Sequence, residues 1–131
     1  MTDERYSYRV EIDVRFRDLD YMKHVNNAVY ATYLEHARAN YFVDVMGESI
    51  ESLDFMVATL ELDYLKPIKY DENVYVHTSV TNVGDTSMTM EYVIEADGKT
   101  AAEAKTVLVA VDGDKPSHVP EKWRDRIEEF E

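Results

Sequence analysis

The segment that decides the fold, residues 15–42, has the sequence RFRDLDYMKHVNNAVYATYLEHARANYF. Its second half begins a run of apolar and aromatic residues with helical spacing, at Tyr30, Tyr33, Leu34, Ala37, Tyr41 and Val45. Asn26 or Asn27 can cap the first turn, and Gly47 suits a left-handed C-cap. About 19 residues at 1.5 Å each predict a helix of roughly 28 Å, long enough to cross a whole sheet.

Alternation of apolar and charged residues predicts strands on both sides of this helix. From Tyr8 to Arg17 the two kinds alternate, as in a strand with one buried and one wet face. After the helix the sequence predicts four more strands, in residues 56–66, 73–83, 87–96 and 100–112. Pro120 suits the start of a short terminal helix. We expect one α+β domain, residues 1–131, with five antiparallel strands around one long helix.

The composition limits what the chain can bind. With 14 Lys and Arg against 27 Asp and Glu, the net charge is −13, which disfavours nucleic acid and anionic membranes as partners. The lack of cysteine excludes a disulfide and a thiolate nucleophile. His36, His77 and His118 have no ligand-like spacing to a carboxylate, so we expect no metal site. The amino terminus has no apolar targeting segment, and we expect a cytoplasmic protein.

The acidic residues are spread along the chain rather than gathered in one block. Such a surface stays hydrated at very high salt, and two interpretations remain open, a halophilic protein and an ordinary acidic one. The first predicts a stability that rises toward molar salt.

The polar segment before the helix, residues 18–27, is the strongest candidate for chemistry. It places Asp18, Asp20 and His24 directly before Asn26 and Asn27 at the helix start. A helix N-terminus presents unpaired N–H groups that can hold an oxyanion, and a nearby carboxylate can act as general base or nucleophile. Spacing alone favours a structural role, in which the aspartates support the helix entry and the asparagines cap it. Local reasoning leaves both alternatives open.

These residues resemble the signature of hotdog-fold thioesterases of the 4-hydroxybenzoyl-CoA thioesterase type, where an Asp-x-Asp strand end precedes a His-Val-Asn-Asn helix start. Other segments follow the order of that family along nearly the whole chain, at Tyr64-Leu65-Lys66-Pro67, Asn82-Val83-Gly84, Ser87, Ala104-Lys105-Thr106 and Val119-Pro120. The resemblance implies a hotdog fold and hydrolysis of an acyl-CoA thioester to free acid and CoA, without a cofactor.

The resemblance also implies roles for single residues. Asp20 matches the catalytic carboxylate of the family, as nucleophile or general base. The amides that would polarise the thioester carbonyl belong to Val25, Asn26 and Asn27. Acyl-acyl carrier protein thioesterases of the same superfamily use an aspartate, an asparagine and a histidine. Asp20 and His24 match that pattern, but Met22 replaces the asparagine, which favours acyl-CoA over acyl carrier protein as the substrate carrier.

Other polar residues receive weaker assignments. Asp18 is expected to be a structural partner of Arg15, Arg17 or loop amides. Glu35 and Arg38 have the spacing of a surface or interface ion pair on the helix. The candidate CoA-binding residues are Lys66, Lys69, Asn82 and Ser87.

Family members pair their sheets edge to edge, so the resemblance implies a homodimer or homotetramer. Two rival functions remain, a hotdog hydratase or dehydratase of enoyl thioesters and a non-catalytic acyl-CoA sensor. Thiol release from an acyl-CoA would exclude both.

Overall fold

One long helix packs against one face of an antiparallel sheet in the computed structural model, which describes residues 6–49, 51 and 54–131. The strands are β1 (Tyr8–Ile12), β2 (Phe55–Tyr64), β3 (Val74–Val83), β4 (Ser87–Ala96), β5 (Lys99–Asp112) and β6 (Lys115–Pro116). The helices are α1 (Asn27–Asp44) and α2 (Glu121–Phe130). The long strands lie in the order β1-β3-β4-β5-β2, and β6 pairs with β5. The predicted α+β architecture is confirmed, and the two-residue β6 is an addition to it.

Helix α1 begins and ends where the sequence predicts. The side chain of Asn26 accepts a hydrogen bond of 2.9 Å from the amide of Ala28, so Asn26 is the N-cap. After the helix Gly47 adopts a left-handed conformation with φ of 71°, which a residue without Cβ takes at little cost. All six predicted core positions of the helix are buried against the sheet.

The strands present their predicted faces to the helix. On β3 these are Val74, Val76, Thr78 and Val80, and on β4 they are Met88, Met90, Tyr92 and Ile94. The β4–β5 hairpin turns at Asp97 and Gly98, both with positive φ, as a two-residue turn of this sequence demands. Helix α2 closes the end of the core with Trp123 and Ile127 buried.

The first strand is shorter than predicted. Strand β1 ends at Ile12, and Phe16–Asp18 form a 3-10 turn instead of continuing the alternation to Arg17. The Asp18 carboxylate accepts a hydrogen bond of 2.9 Å from the amide of Arg15, which closes this turn. A local side-chain bond therefore overrides the strand pattern, and Phe16 is left 79% exposed.

Strand β2 lies at one edge of the sheet, and most of its residues are exposed. Its exposed apolar side chains are Met56, Val57, Leu60 and Tyr64. Its other edge pairs with β5 along Phe55–Tyr64, with a bulge between Val57 and Thr59. Within the described residues, neither helix has the length and apolar character needed to cross a membrane.

Candidate active site

Asp18 fastens the segment between β1 and α1. Its carboxylate accepts hydrogen bonds from the Arg15 amide and from the Tyr33 hydroxyl, at 2.9 and 2.8 Å. Its carbonyl accepts a third, at 2.8 Å, from the amide of Asn26. Burial and the adjacent carboxylate both raise the pKa of Tyr33, so its hydroxyl stays protonated and donates. Asp18 is thus a structural residue, and the Tyr33 partner is one that the sequence did not reveal.

Asp20 lies two residues further on, in a tight loop that its own backbone closes. Its amide donates to the carbonyl of His24 at 2.8 Å, and its carbonyl accepts from the amide of Lys23 at 2.9 Å. Its Oδ1 accepts from the amide of Met22 at 2.9 Å and, more weakly, from that of His24 at 3.4 Å. Within the described residues Oδ2 has no hydrogen-bond partner. The loop therefore orients a half-buried carboxylate and leaves one oxygen able to accept a proton.

His24 belongs to the same loop through its backbone. It forms an isolated bridge with Lys69, and its carbonyl holds the Asp20 amide. Among the described residues, its imidazole neither hydrogen bonds nor forms an ion pair with the Asp20 carboxylate. The structure therefore brings the two predicted residues into one loop without joining their side chains.

The helix start offers fewer amides than the sequence suggests. The amide of Val25 donates to Ile68 and that of Asn26 to Asp18, both at 2.8 Å. The amide of Asn27 is the one of these three without an acceptor among the described residues. A backbone N–H already bonded to a carbonyl has no proton left to offer, so among the described residues the Asn27 amide alone of these three is available to a ligand.

Tyr64 fixes the helix start from the side of β2. Its hydroxyl donates to the carbonyl of Asn27 at 2.8 Å, and its ring meets that of Tyr30 edge to face at 4.9 Å. From the sequence, Tyr64 is recognisable only as part of the Tyr-Leu-Lys-Pro segment that resembles the family. Its contact with Asn27 depends on the pairing of distant segments, which no local pattern reports.

The four candidate CoA-binding residues fall into two groups. Lys66 forms an ion pair with Glu72 at 3.1 Å, and the Lys69 amide donates to the same carboxylate at 2.7 Å, both near the Asp20 loop. Asn82 and Ser87 flank the β3–β4 turn, at the opposite end of the sheet. One chain alone does not bring the two groups together.

Two further predictions concern the ion pair of Glu35 with Arg38 and the presence of a metal site. Arg38 forms no ion pair with Glu35 in the described part of the chain, so the predicted pair on the surface of this chain is wrong, whereas an ion pair at an interface stays a prediction. The reason is its place on the helix, which turns Arg38 toward the sheet, where it is only 8% exposed and donates to Tyr92. The described residues contain no group of three or more His, Cys, Asp or Glu close enough to hold a metal ion.

The sheet wrapped on one helix is the hotdog fold, which this chain shares with solved thioesterases. Residues 14–127 match the family model described as the Thioesterase-like superfamily, and the chain belongs to this family. A thioesterase from Thermus thermophilus, solved in complex with coenzyme A and Zn, is 41% identical, covers 98% of this chain and 96% of its own, and has a TM-score of 0.91.

Two curated relatives are similar at lower identity. The long-chain acyl-CoA thioesterase FadM of Escherichia coli K12 is 26% identical over 79% of this chain and 82% of its own length. The chloroplastic acyl-acyl carrier protein thioesterase ATL3 of Arabidopsis thaliana is 26% identical over 94% of this chain and 68% of its own. Membership in the family makes this chain a thioester hydrolase.

Proposed function

We propose that this chain hydrolyses acyl-CoA thioesters to a free acid and CoA, with Asp20 as general base or nucleophile and the Asn27 amide as oxyanion donor. The observation that carries the proposal is the loop itself, which leaves one oxygen of Asp20 and the amide of Asn27 without partners among the described residues. A base and an N–H donor at a helix start are the groups that attack on an acyl carbonyl requires.

The relatives support acyl-CoA as the carrier. The Thermus thermophilus thioesterase was solved with coenzyme A, and FadM is named for acyl-CoA. ATL3 is named for acyl carrier protein, the other candidate carrier. Met22 stands where the acyl carrier protein type has a catalytic asparagine, and a methionine cannot supply that hydrogen bond.

We further propose that the active unit is a homodimer joined through β2, whose outer edge has apolar side chains beside it. An exposed, apolar edge strand is a ready template for pairing with a second copy. In an antiparallel pair of β2 strands, the Phe55 end of one copy lies beside the Tyr64 end of the other. Ser87 is level with Met56 in the sheet, so this pairing brings Asn82 and Ser87 of one copy toward the Asp20 loop of the other.

A panel of short, long, branched and aromatic acyl-CoAs, assayed with a thiol reagent, tests the reaction. The proposal predicts thiol release from at least one of them. If the protein is stabilised against heat by an acyl-CoA but releases no thiol, it is a sensor. If it adds water to an enoyl-CoA without releasing thiol, it is a hydratase. Either result contradicts the proposal.

A further inference from the structure

Arg38 is a buried cation with an incomplete set of partners. Its side chain comes from the middle of α1 and is 8% exposed, and its Nη1 donates to the Tyr92 hydroxyl at 3.3 Å. The Tyr92 hydroxyl in turn lies 2.7 Å from that of Thr106. Among the described residues no carboxylate lies within ion-pair distance of the guanidinium. Its other guanidinium nitrogens have no partner among the described residues, so they can donate to a further acceptor.

The remaining donors of Arg38 open onto a groove. In the described part of the chain, the one buried side-chain nitrogen or oxygen that is sealed without a partner is Nδ1 of His77, so the unbonded nitrogens of Arg38 are accessible. Two adjoining cavities, of about 270 and 540 Å³, lie between α1 and β2. Both are lined by Arg38 from the helix and by Val57 from the strand. The guanidinium therefore faces space that a ligand can fill.

The two cavities lie along the face of α1 that begins at the proposed catalytic site. Asn27, Ala31, Glu35 and Arg38 are spaced by four, four and three residues, which places them on the same side of a helix. The last three line the smaller cavity. An acyl group whose carbonyl lies at the Asn27 amide and that follows this face reaches Arg38 after 11 helix residues, or roughly 16 Å. This is the length of an extended acyl chain of about twelve carbons.

The opposite wall is apolar because of the bulge in β2. Leu60 pairs with Thr106 and Val57 with Leu108, two positions on the same face of β5. Without the extra residue at the bulge, Val57 and Leu60 would point to opposite faces, since their separation is odd. The bulge turns both toward α1, where they line the groove.

Glu35 distinguishes between the oxygen groups that could meet Arg38. Glu35 is an exposed residue that lines the same two cavities and, among the described residues, does not pair with Arg38. A carboxylate on the ligand would be attracted by Arg38 and repelled by Glu35. A hydroxyl can accept from Arg38 and donate to Glu35, and it satisfies both.

We infer that the α1–β2 groove selects long acyl groups that carry a hydroxyl near their far end, with Arg38 as donor and Glu35 as acceptor. This inference rests on the proposed acyl-CoA hydrolysis and names its substrate class. Arg38 and Glu35 are specificity residues of that site, since the proposed position of the reacting carbonyl is at the Asn27 end of this helix face.

The test compares dodecanoyl-CoA, 12-hydroxydodecanoyl-CoA and the mono-CoA thioester of dodecanedioic acid. For the unaltered protein we expect kcat/KM to favour the hydroxylated substrate over dodecanoyl-CoA by roughly ten- to a hundred-fold. The hydroxyl gains hydrogen bonds with Arg38 and Glu35 that a groove without polar partners would not provide. The dicarboxylic substrate should fall below the hydroxylated one. Arg38→Met should abolish the preference, and Arg38→Lys should restore part of it.

Three results would overturn the inference while leaving the hydrolysis intact. They are equal kcat/KM for the hydroxylated and plain substrates in the unaltered protein, an equal loss on both in Arg38→Met, and a change of oligomeric mass in that variant. The last would show that Arg38 contacts a second copy of the chain. The preference of the unaltered protein decides the question even if the variants fail to fold. If neither these three substrates nor any other acyl-CoA is hydrolysed, the proposed function itself is wrong.

Discussion

The hydroxyl of Tyr33, in the second turn of α1, donates a hydrogen bond of 2.8 Å to the carboxylate of Asp18, in the 3-10 turn that follows β1. Because the backbone carbonyl of Asp18 also accepts a hydrogen bond from the amide of Asn26, this one residue joins the helix to the loop that carries Asp20. The positions of the proposed base and of the Asn27 amide therefore depend on a bond that neither of them makes.

Replacing Tyr33 with Phe should lower both stability and turnover. Loss of a buried hydrogen bond to a charged acceptor costs about 1.5–3 kcal/mol, seen as a fall of several degrees in Tm. Turnover should fall by roughly ten-fold through kcat, with KM little changed, since the loop is displaced from its catalytic geometry.

Tyr41→Phe is the matched control for Tyr33→Phe. Tyr41 is also buried in α1 and donates to a carboxylate, that of Glu131, at 2.7 Å. It should lose similar stability without losing kcat. Equal kcat in the two variants would contradict a positioning role for Tyr33.

Asn27→Pro removes the proposed oxyanion donor and little else. Asn27 is the first residue of α1, the position where proline is tolerated best, and Asn26 has φ of −59° and ψ of 137°, which suits a residue before proline. We expect an unchanged Tm and a fall in kcat of roughly 10²–10³. Asn27→Ala keeps the amide and should retain activity. A Pro variant as active as the Ala variant would show that another donor binds the oxyanion.

The mass of the protein in solution tests the pairing through β2. Met56 is 55% exposed on this strand, so Met56→Lys leaves the folded single chain intact but places a charge at the proposed interface. Light scattering should show a dimer or tetramer for the unaltered protein and a smaller species for Met56→Lys. Phe16, which is 79% exposed outside the sheet, supplies the control Phe16→Lys. An unchanged mass in Met56→Lys would place the interface elsewhere.

Salt should stabilise and activate this acidic protein if its charge is an adaptation to a saline solvent. At 1 M salt the Debye length is about 3 Å, so repulsion among surface carboxylates, and between them and the phosphates of CoA, is screened. We expect Tm and kcat/KM to rise from 0.1 M toward several molar KCl. A maximum of both at the low end would mean that the net charge of −13 has no such role.

Periodicity predicted most of this fold because the core follows it closely. The alternation in β3 and β4 and the helical spacing from Tyr30 to Val45 each bury one face, and the turn at Asp97 and Gly98 has its expected geometry. The end of β1 was not predicted, because the alternation continues past Ile12 while the hydrogen bond from the Arg15 amide to the Asp18 carboxylate closes a turn there.

The site was harder to predict because its decisive contacts join distant segments. Asn26 was recognisable as a cap, since capping is local. That Ile68 occupies the Val25 amide, that Tyr64 holds Asn27, and that Arg38 turns inward to Tyr92 all depend on tertiary packing. No spacing within one segment carries that information.

The most direct test of the central claim is thiol release by Asp20→Asn compared with the unaltered protein on its best acyl-CoA substrate. Asparagine keeps the Oδ1 acceptor for the Met22 amide, so the loop should fold and Tm should change little. Exposed Asp13, replaced by Asn, is the control and should keep full activity. We predict that kcat/KM falls by about 10²–10⁴ in Asp20→Asn, the contribution of a positioned base. Full activity in that variant would contradict the assignment of Asp20 as the residue that attacks the thioester or activates water.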